Sequence, residues 1–192
     1  MAMNWDRVPK EGDPDEDLVV RIAAGDAPAM RVLISRQLPR IMAVATRMLG
    51  DAGEAEDVAQ ETFLRVWRNA DRWRRRNARF STWVHRVAIN LCYDRLRRRK
   101  DVFAQHPPEL PYEGPSPDAG LMSEDDPGRR MEQALQMIAP RQREAIVLVY
   151  YQAMSNAEAA AIMDITVDAL ESLLARGRRA LQALLLKERV DD

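Results

Sequence analysis

The chain is poor in the residues that staple or metallate small proteins. Cys92 is the only cysteine, so no internal disulfide can form, and with His85 and His106 as the only histidines no zinc constellation of ordinary spacing can be assembled. Cys92 reads as a packed helix residue in preference to a redox sensor. Glycine occurs only 8 times in 192 residues, and no apolar–polar alternation reaches strand length between turn residues, which argues against a sheet. No run of about 20 apolar residues is present, so no membrane span is expected. The first residues, MAMNWDRVPKEGDPDED, lack the apolar segment and small-residue cleavage site of a secretory signal, and a cytoplasmic location is expected. Neither sign of charge prevails: 29 Lys and Arg against 30 Asp and Glu leave a net charge of −1. Any surface suited to a polyanion must therefore be local.

What the chain does have is apolar residues recurring at three- and four-residue spacing almost throughout, the period of helices that bury one stripe. The expected fold class is all-α. One stretch breaks the pattern: residues 101–128, DVFAQHPPELPYEGPSPDAGLMSEDDPG, carry Pro107, Pro108, Pro111, Pro115, Pro117 and Pro127, many acids, and no lysine or arginine. Such a composition cannot pack a core and reads as an extended acidic linker. It separates two small helical domains, residues 15–100 and 129–188, the first preceded by a flexible tail, residues 1–14. No internal repeat relates them.

In the first domain the spacing predicts helices over 17–24, 28–49 and 54–69, with a turn at Gly50-Asp51-Ala52-Gly53. The third would bury Ala55, Val58, Ala59, Thr62 and Val66 on one stripe and leave Asp57, Gln60, Glu61, Leu64 and Arg68 on another. From spacing alone the second stripe is a solvated face. Trp73 to Lys100, WRRRNARFSTWVHRVAINLCYDRLRRRK, holds the missing basic charge, with Trp73, Phe80, Trp83 and Tyr93 set among arginines and Asp94 its only acid. Arginine neutralises phosphates and aromatic faces stack on unpaired bases, so this block is suited to a polyanion with exposed bases. It divides into a polar loop, residues 70–79, and a helix, 81–99, with Val84, Val87, Ala88 and Leu91 toward the core and Arg86, Asn90, Tyr93 and Arg97 on the far side. Trp73, in the loop, is the better candidate for exposure; Trp83 is expected in the core.

In the second domain, Pro140 suits the first turn of a new helix and separates 131–138 from 141–151. Ser155-Asn156-Ala157-Glu158 is a capping box opening a short helix through Met163. Asp164-Ile165 makes a brief turn, and Thr166 can cap a long helix with Val167, Leu170, Leu174 and Leu181 facing inward and Gly177 at a close approach. Short helix, tight turn and long second helix form the pattern of a helix-turn-helix, whose second helix enters the major groove; a plain helical hairpin would share the periodicity. Asp168, Ala169, Glu171, Ser172, Leu173 and Arg176 would face bases, and Arg178 and Arg179 phosphates.

Four blocks, AGDAPAM at 24–30, AEDVAQETFLRVWR at 55–68, FSTWVHRVAINLCYDRLRRRK at 80–100 and LQMIAPRQREAIVLVYYQAMSNAEAAAIMDITVDALESLLARGRRAL at 135–181, together resemble the bacterial extracytoplasmic-function (ECF) sigma factors. The resemblance implies a sigma region 2 bundle and a sigma region 4 helix-turn-helix, and a protein that binds core RNA polymerase, directs it to particular promoter DNA and helps open it. It implies no cofactor, no metal, no catalytic residue and no small-molecule substrate. It gives Asp57, Gln60, Glu61, Leu64 and Arg68 a partner, the polymerase clamp helices. It implies that Asn69, Trp73, Asn77, Phe80 and Trp83 form a pocket for a base extruded from the minus-ten element, with Arg86, Asn90 and Arg97 on the backbone. Thr166 and the helix-turn-helix residues named above would meet the minus-thirty-five element. The linker would thread the polymerase cleft, where its negative charge can imitate nucleic acid, although a mere tether fits its composition equally. A stress-response role under an anti-sigma factor, membrane-bound in many members, is also implied.

One departure stands out. Where many ECF sigma factors have lysine and arginine near the start of the recognition helix, this chain has Leu170-Glu171-Ser172-Leu173-Leu174. Glu171 offers an acceptor for cytosine N4, and Leu173 can meet only an apolar group such as a thymine methyl. Either the minus-thirty-five preference differs, or this region no longer reads DNA and the chain is a sigma-like decoy that binds an anti-sigma factor. The retained arginine block argues against the decoy.

Overall fold

The structure is a computed structural model that describes residues 15–73, 79–105 and 127–191. Its elements are α1 (Glu16–Ala23), α2 (Ala27–Leu49), α3 (Ala52–Asn69), a 3-10 turn (Ala70–Arg72), α4 (Phe80–Gln105), α5 (Pro127–Met137), α6 (Pro140–Ile146) running into a π turn (Val147–Tyr151), α7 (Asn156–Met163) and α8 (Val167–Asp191). The fold is all-α, and among the described residues there is no strand.

Local chemistry sets the helix ends of the first half. Asp26 caps α2 by accepting from the Ala29 N–H at 3.0 Å, and Asp51 caps α3 through the Glu54 N–H at 2.7 Å. Between them Gly50 closes α2 at φ +68°, a conformation that favours glycine, and a Cβ there would lie 2.8 Å from Cδ of Gln136, whose side chain would have to shift. Leu33, Ile41, Val44 and Met48 of α2 meet Ala55, Val58 and Val66 of α3 and Val84 and Ala88 of α4 in one buried cluster. Each of the larger aliphatic side chains gains about 1.5–3 kcal/mol from leaving water. Cys92 belongs to this cluster, and burial pushes its thiol up to about 12, as expected of a structural cysteine. α4 continues to Gln105, five residues past the expected end of the domain. Asp101 to Gln105 contain no helix breaker, and the prolines that colour the composition of the linker begin only at Pro107. The linker proper, from 106 to 126, lies outside the described residues.

In the second half Ser155 and Glu158 exchange bonds at the start of α7: Oγ of Ser155 accepts from the Glu158 N–H at 3.3 Å, and the Glu158 carboxylate accepts from the Ser155 N–H at 3.0 Å. Asp164 ends α7 at φ 57°, and Thr166 caps α8 through the Ala169 N–H at 3.2 Å. Gly177 lies against α6, where a Cβ would stand 2.7 Å from Cδ1 of Ile146. Leu170, Leu174 and Leu181 are buried as the spacing predicts, but Val167 is 39% exposed. Its place in the first turn of α8 corrects that one inward assignment.

The two halves pack on each other. Arg143 of α6, only 4% exposed, donates to the Met48 carbonyl at the end of α2, and to Oε1 and the backbone carbonyl of Gln136 at 2.6 and 2.5 Å. The buried guanidinium thus sits where the carbonyl ends of α2 and α5 concentrate negative potential. Nε2 of Gln136 donates to the Arg47 carbonyl at 2.8 Å, Arg40 donates to the Gln152 carbonyl at 3.2 Å, and the Arg47 guanidinium lies 4.3 Å over the Tyr151 ring.

Candidate nucleic-acid interface

At the head of α4 the aromatic residues do not divide as the sequence suggests. Phe80 is wholly buried, with Trp73 edge-on at 5.6 Å between ring centroids and Trp83 at 5.5 Å. Trp73 and Trp83 are both half-buried and pack on the core. Two expectations are thereby corrected: Trp73 is not an exposed aromatic, and Phe80 is a core residue that faces no solvent. The physical reason is packing: Phe80 at the head of α4 stands edge-on to the Trp73 ring, and apolar area wins over exposure. Asn69, also half-buried, donates its side-chain amide to the Arg65 carbonyl at 2.8 Å. Asn77 lies outside the described residues.

Along α4 the far-side residues follow the predicted register, with Arg86 and Tyr93 half-buried and Asn90 and Arg97 exposed. Arg97 pairs with Asp94 at 2.8 Å. Arg86 does not face water: its guanidinium donates to the carbonyls of Ala161 and, at 3.2 Å, Ile162, at the C-terminal end of α7. A cleft of ≈ 190 Å³ opens beside it, lined by Arg86, Asn90 and Tyr93 from α4 and by Arg141, Glu144 and Met163 from the second half.

In this cleft lies a group that sequence reasoning missed. Glu144, 1% exposed, accepts from the Tyr93 hydroxyl at 2.6 Å and from Arg141 at 3.0 Å, and Arg141 also donates to the Met163 carbonyl at 3.1 Å. Burial raises the Glu144 carboxyl above the usual carboxylate range, opposed by the Tyr93 bond and the Arg141 charge. Burial also raises the Tyr93 hydroxyl, reinforced by the Glu144 charge, so tyrosine keeps its proton and donates it. The sequence carries no local signal for this group: Arg141 to Glu144 are four consecutive polar residues, and the helical period does not say which of them turns inward.

The α3 stripe is placed as predicted. Asp57, Gln60, Leu64 and Arg68 are exposed and Glu61 half-exposed on one face, with Asp57 3.3 Å from Arg95 and Glu61 2.8 Å from Arg65. Leu64 is 48% exposed, and Trp67, three residues on, is 40% exposed beside it. Trp67 was overlooked, although its i+3 spacing from Leu64 gives the signal. On α8, Asp168, Ala169, Glu171, Ser172, Arg176, Arg178 and Arg179 are exposed, as is Thr166 just before it. Glu171 accepts from the Asn156 side chain at 3.3 Å. Leu173 is half-buried against the core, which limits its expected reach to a base. Among the described residues no group of His, Cys, Asp and Glu could hold a metal, and no helix is long and apolar enough to cross a membrane.

Fold and surfaces together define a two-part helical protein with a helix-turn-helix in its second half. Residues 33–102 match the family Sigma-70 region 2, and residues 128–181 match Sigma-70, region 4. The chain is 30% identical over 177 residues to the ECF RNA polymerase sigma factor SigW of Bacillus subtilis, covering 87% of this chain and 94% of that one. It is 31% identical over 172 residues to the ECF sigma factor SigE of Mycolicibacterium smegmatis, where the match covers 86% of this chain and 66% of the relative. Among solved structures, CnrH in complex with the cytosolic domain of CnrY superposes with a TM-score of 0.67 at 26% identity, over 89% of this chain and 96% of that one. The sigma factor RpoE in complex with the anti-sigma factor NepR, from Bartonella quintana, gives 0.66 at 26% identity, over 81% of this chain and 95% of that one. The chain belongs to the ECF sigma factors of the sigma-70 family.

Proposed function

We propose that this chain is a promoter-specificity subunit that binds core RNA polymerase, directs it to particular promoters and assists opening there, with no catalytic step of its own. The observation that carries the reading is the coexistence of two outward faces in one chain. One is the acidic, apolar face of α3, with Asp57, Leu64 and Trp67 directed to solvent, which suits a protein partner. The other is the exposed N-terminal part of α8, whose residues suit the major groove. Between them α4 supplies Arg86, Asn90 and Arg97 for the backbone of the minus-ten element, with the loop before it and Asn69, Trp73, Asn77 and Trp83 as the place where strands part. We assign the regulatory setting as a stress response under an anti-sigma factor, supported by the similarity to RpoE, which is solved with one. Run-off transcription with purified core polymerase on a genomic library tests the function: the expected result is RNA starting at a defined set of sites, and no RNA from any template defeats it.

A second reading, the decoy, is favoured by the exposed Glu171 on the recognition helix. The two differ at this residue. For a base-reading helix, Glu171→Lys is expected to change the preferred bases at one or two positions of a randomised minus-thirty-five element, with a wrong base costing about 1–3 kcal/mol. Arg178→Ala is expected to weaken binding to all sequences alike. An unchanged selected element after Glu171→Lys moves the balance to the decoy.

A further inference from the structure

The acid on the recognition helix is held by a residue of the other helix of the motif. Glu171 stands exposed in the second turn of α8, and the side-chain amide of Asn156, the half-buried first residue of α7, donates to its Oε1 at 3.3 Å. A carboxylate can only accept, so the amide must turn its nitrogen toward Glu171. The frame beneath the pair is rigid: Ala159, Ala160, Ile162 and Met163 of α7 and Leu170 and Leu174 of α8 belong to one buried cluster. Asp164, at φ 57°, fixes the turn between the two helices, and Thr166 caps the second. The start of α7 is secured by the reciprocal bonds of Ser155 and Glu158, which leaves the Asn156 amide for Glu171. The kind of partner matters chemically. A lysine or arginine in its place would neutralise the charge that a base amino group is to meet, whereas a neutral amide orients the carboxylate without cancelling it.

We propose that Asn156 is a positioning residue for promoter choice: it holds Oε1 of Glu171 so that Oε2 faces the major groove and selects cytosine at one position of the minus-thirty-five element. The proposal rests on the promoter reading above and adds to it a residue outside the recognition helix. In the major groove cytosine shows an amino donor and no acceptor; adenine sets N7 beside its amino group, and guanine and thymine present oxygen acceptors. A fixed carboxylate oxygen therefore favours cytosine. Without Asn156 the glutamate has three rotatable bonds to immobilise when it meets the base, and it can swing away from a wrong one. Both effects reduce the difference between right and wrong bases, which is the quantity that a preorganised contact enlarges.

The test uses the full chain bound to core RNA polymerase, on a promoter recovered by run-off transcription whose minus-thirty-five element is randomised; bound templates are selected and sequenced. The position that Glu171 reads is the one whose preference Glu171→Ala erases. There the wild-type chain is expected to select cytosine, and Asn156→Ala to reduce the discrimination about fivefold while the preferences at the other positions stay. Asn156→Asp separates positioning from support of the helix. An acid in the first turn of a helix is favourable, so α7 keeps its stability, but the donor is gone and discrimination should fall at least as far. Reversing the bond supplies the rescue. Glu171→Gln alone, with its amide oxygen held by Asn156, turns its NH2 to the groove and should select a base with an acceptor, guanine or thymine. Adding Asn156→Asp to Glu171→Gln makes that NH2 donate to the new carboxylate and turns the amide oxygen outward, so cytosine should be selected again. Discrimination intact in both Asn156 variants, a loss spread evenly over all positions, a wild-type preference other than cytosine, or a reversed pair that does not return to cytosine would each overturn the positioning role. Run-off transcription in parallel keeps the two levels apart: RNA beside any of these outcomes removes only the role of Asn156, whereas absence of RNA removes the promoter reading and this role with it.

Discussion

A chain carrying Asp57→Arg and Leu64→Ala is expected to bind core RNA polymerase about 100-fold more weakly, or not measurably, while keeping its helical content and unfolding midpoint. Truncating an apolar anchor and reversing a charge at a protein interface together remove roughly 3 kcal/mol, and each tenfold step in affinity is about 1.4 kcal/mol. The fold should not notice. Leu64 is 48% exposed, so its loss leaves no cavity, and the ion pair of Asp57 with Arg95 is a surface pair. Exposed pairs of that kind contribute about 0–1 kcal/mol. Titrating a fluorescent chain with core polymerase measures the effect. Undiminished affinity in a folded double variant would remove α3 as the anchor.

The second large effect is expected in the pH dependence of stability, and its source is His85. The ring is wholly buried, and burial lowers its pKa to about 4, with the Arg40 charge acting in the same direction and the Ser81 carbonyl opposing. Nδ1 stands 2.8 Å from the Ser81 carbonyl, which can only accept, so Nδ1 carries the proton and Nε2 is bare; no partner for Nε2 exists among the described residues. Above pH 6.5 the imidazole is neutral in both states. Between 6.5 and about 4 the unfolded chain binds a proton that the folded chain refuses, so stability falls with falling pH across that window and levels off below it. The loss over the window is roughly 3 kcal/mol, of which about 2 should already be gone at pH 5. Urea unfolding at pH 7 and pH 5, compared with His85→Leu, isolates the contribution; equal pH slopes in the two chains would mean that His85 does not titrate this way.

Much of the fold could be read from the sequence because its determinants are local. The three- and four-residue spacing marks the helices, and the Ser155–Glu158 capping box and Thr166 the helix-turn-helix; α2 and α3 start one and two residues ahead of the expected positions, where Asp26 and Asp51 cap them. The α3 stripe was equally legible, since exposure on a regular helix follows from register. What escaped depends on partners distant in the chain. Glu144 reaches Tyr93 51 positions away, and nothing in the helical period distinguishes a tyrosine that faces solvent from one that donates to a buried carboxylate. Arg86 has the register of a phosphate contact, but the proximity of α7 decides its partner. The π turn over Val147–Tyr151 is invisible to a 3.6-residue period. The exposure of Trp73 and Leu173 was misjudged because each is placed by what packs beneath it and not by the helical period.

Arg143 gives the docked protein a thermodynamic signature of its own. By donating to the Met48 carbonyl of the first half while holding the Gln136 carbonyl of its own, it makes the second half the terminator of α2. If the halves part while each stays folded, the Met48 carbonyl must find water in its place, and the last turn of α2 is the first backbone to loosen. Amide exchange at this turn would thus be slow when the halves are docked and fast when they are apart, so protection there counts the docked fraction without any label.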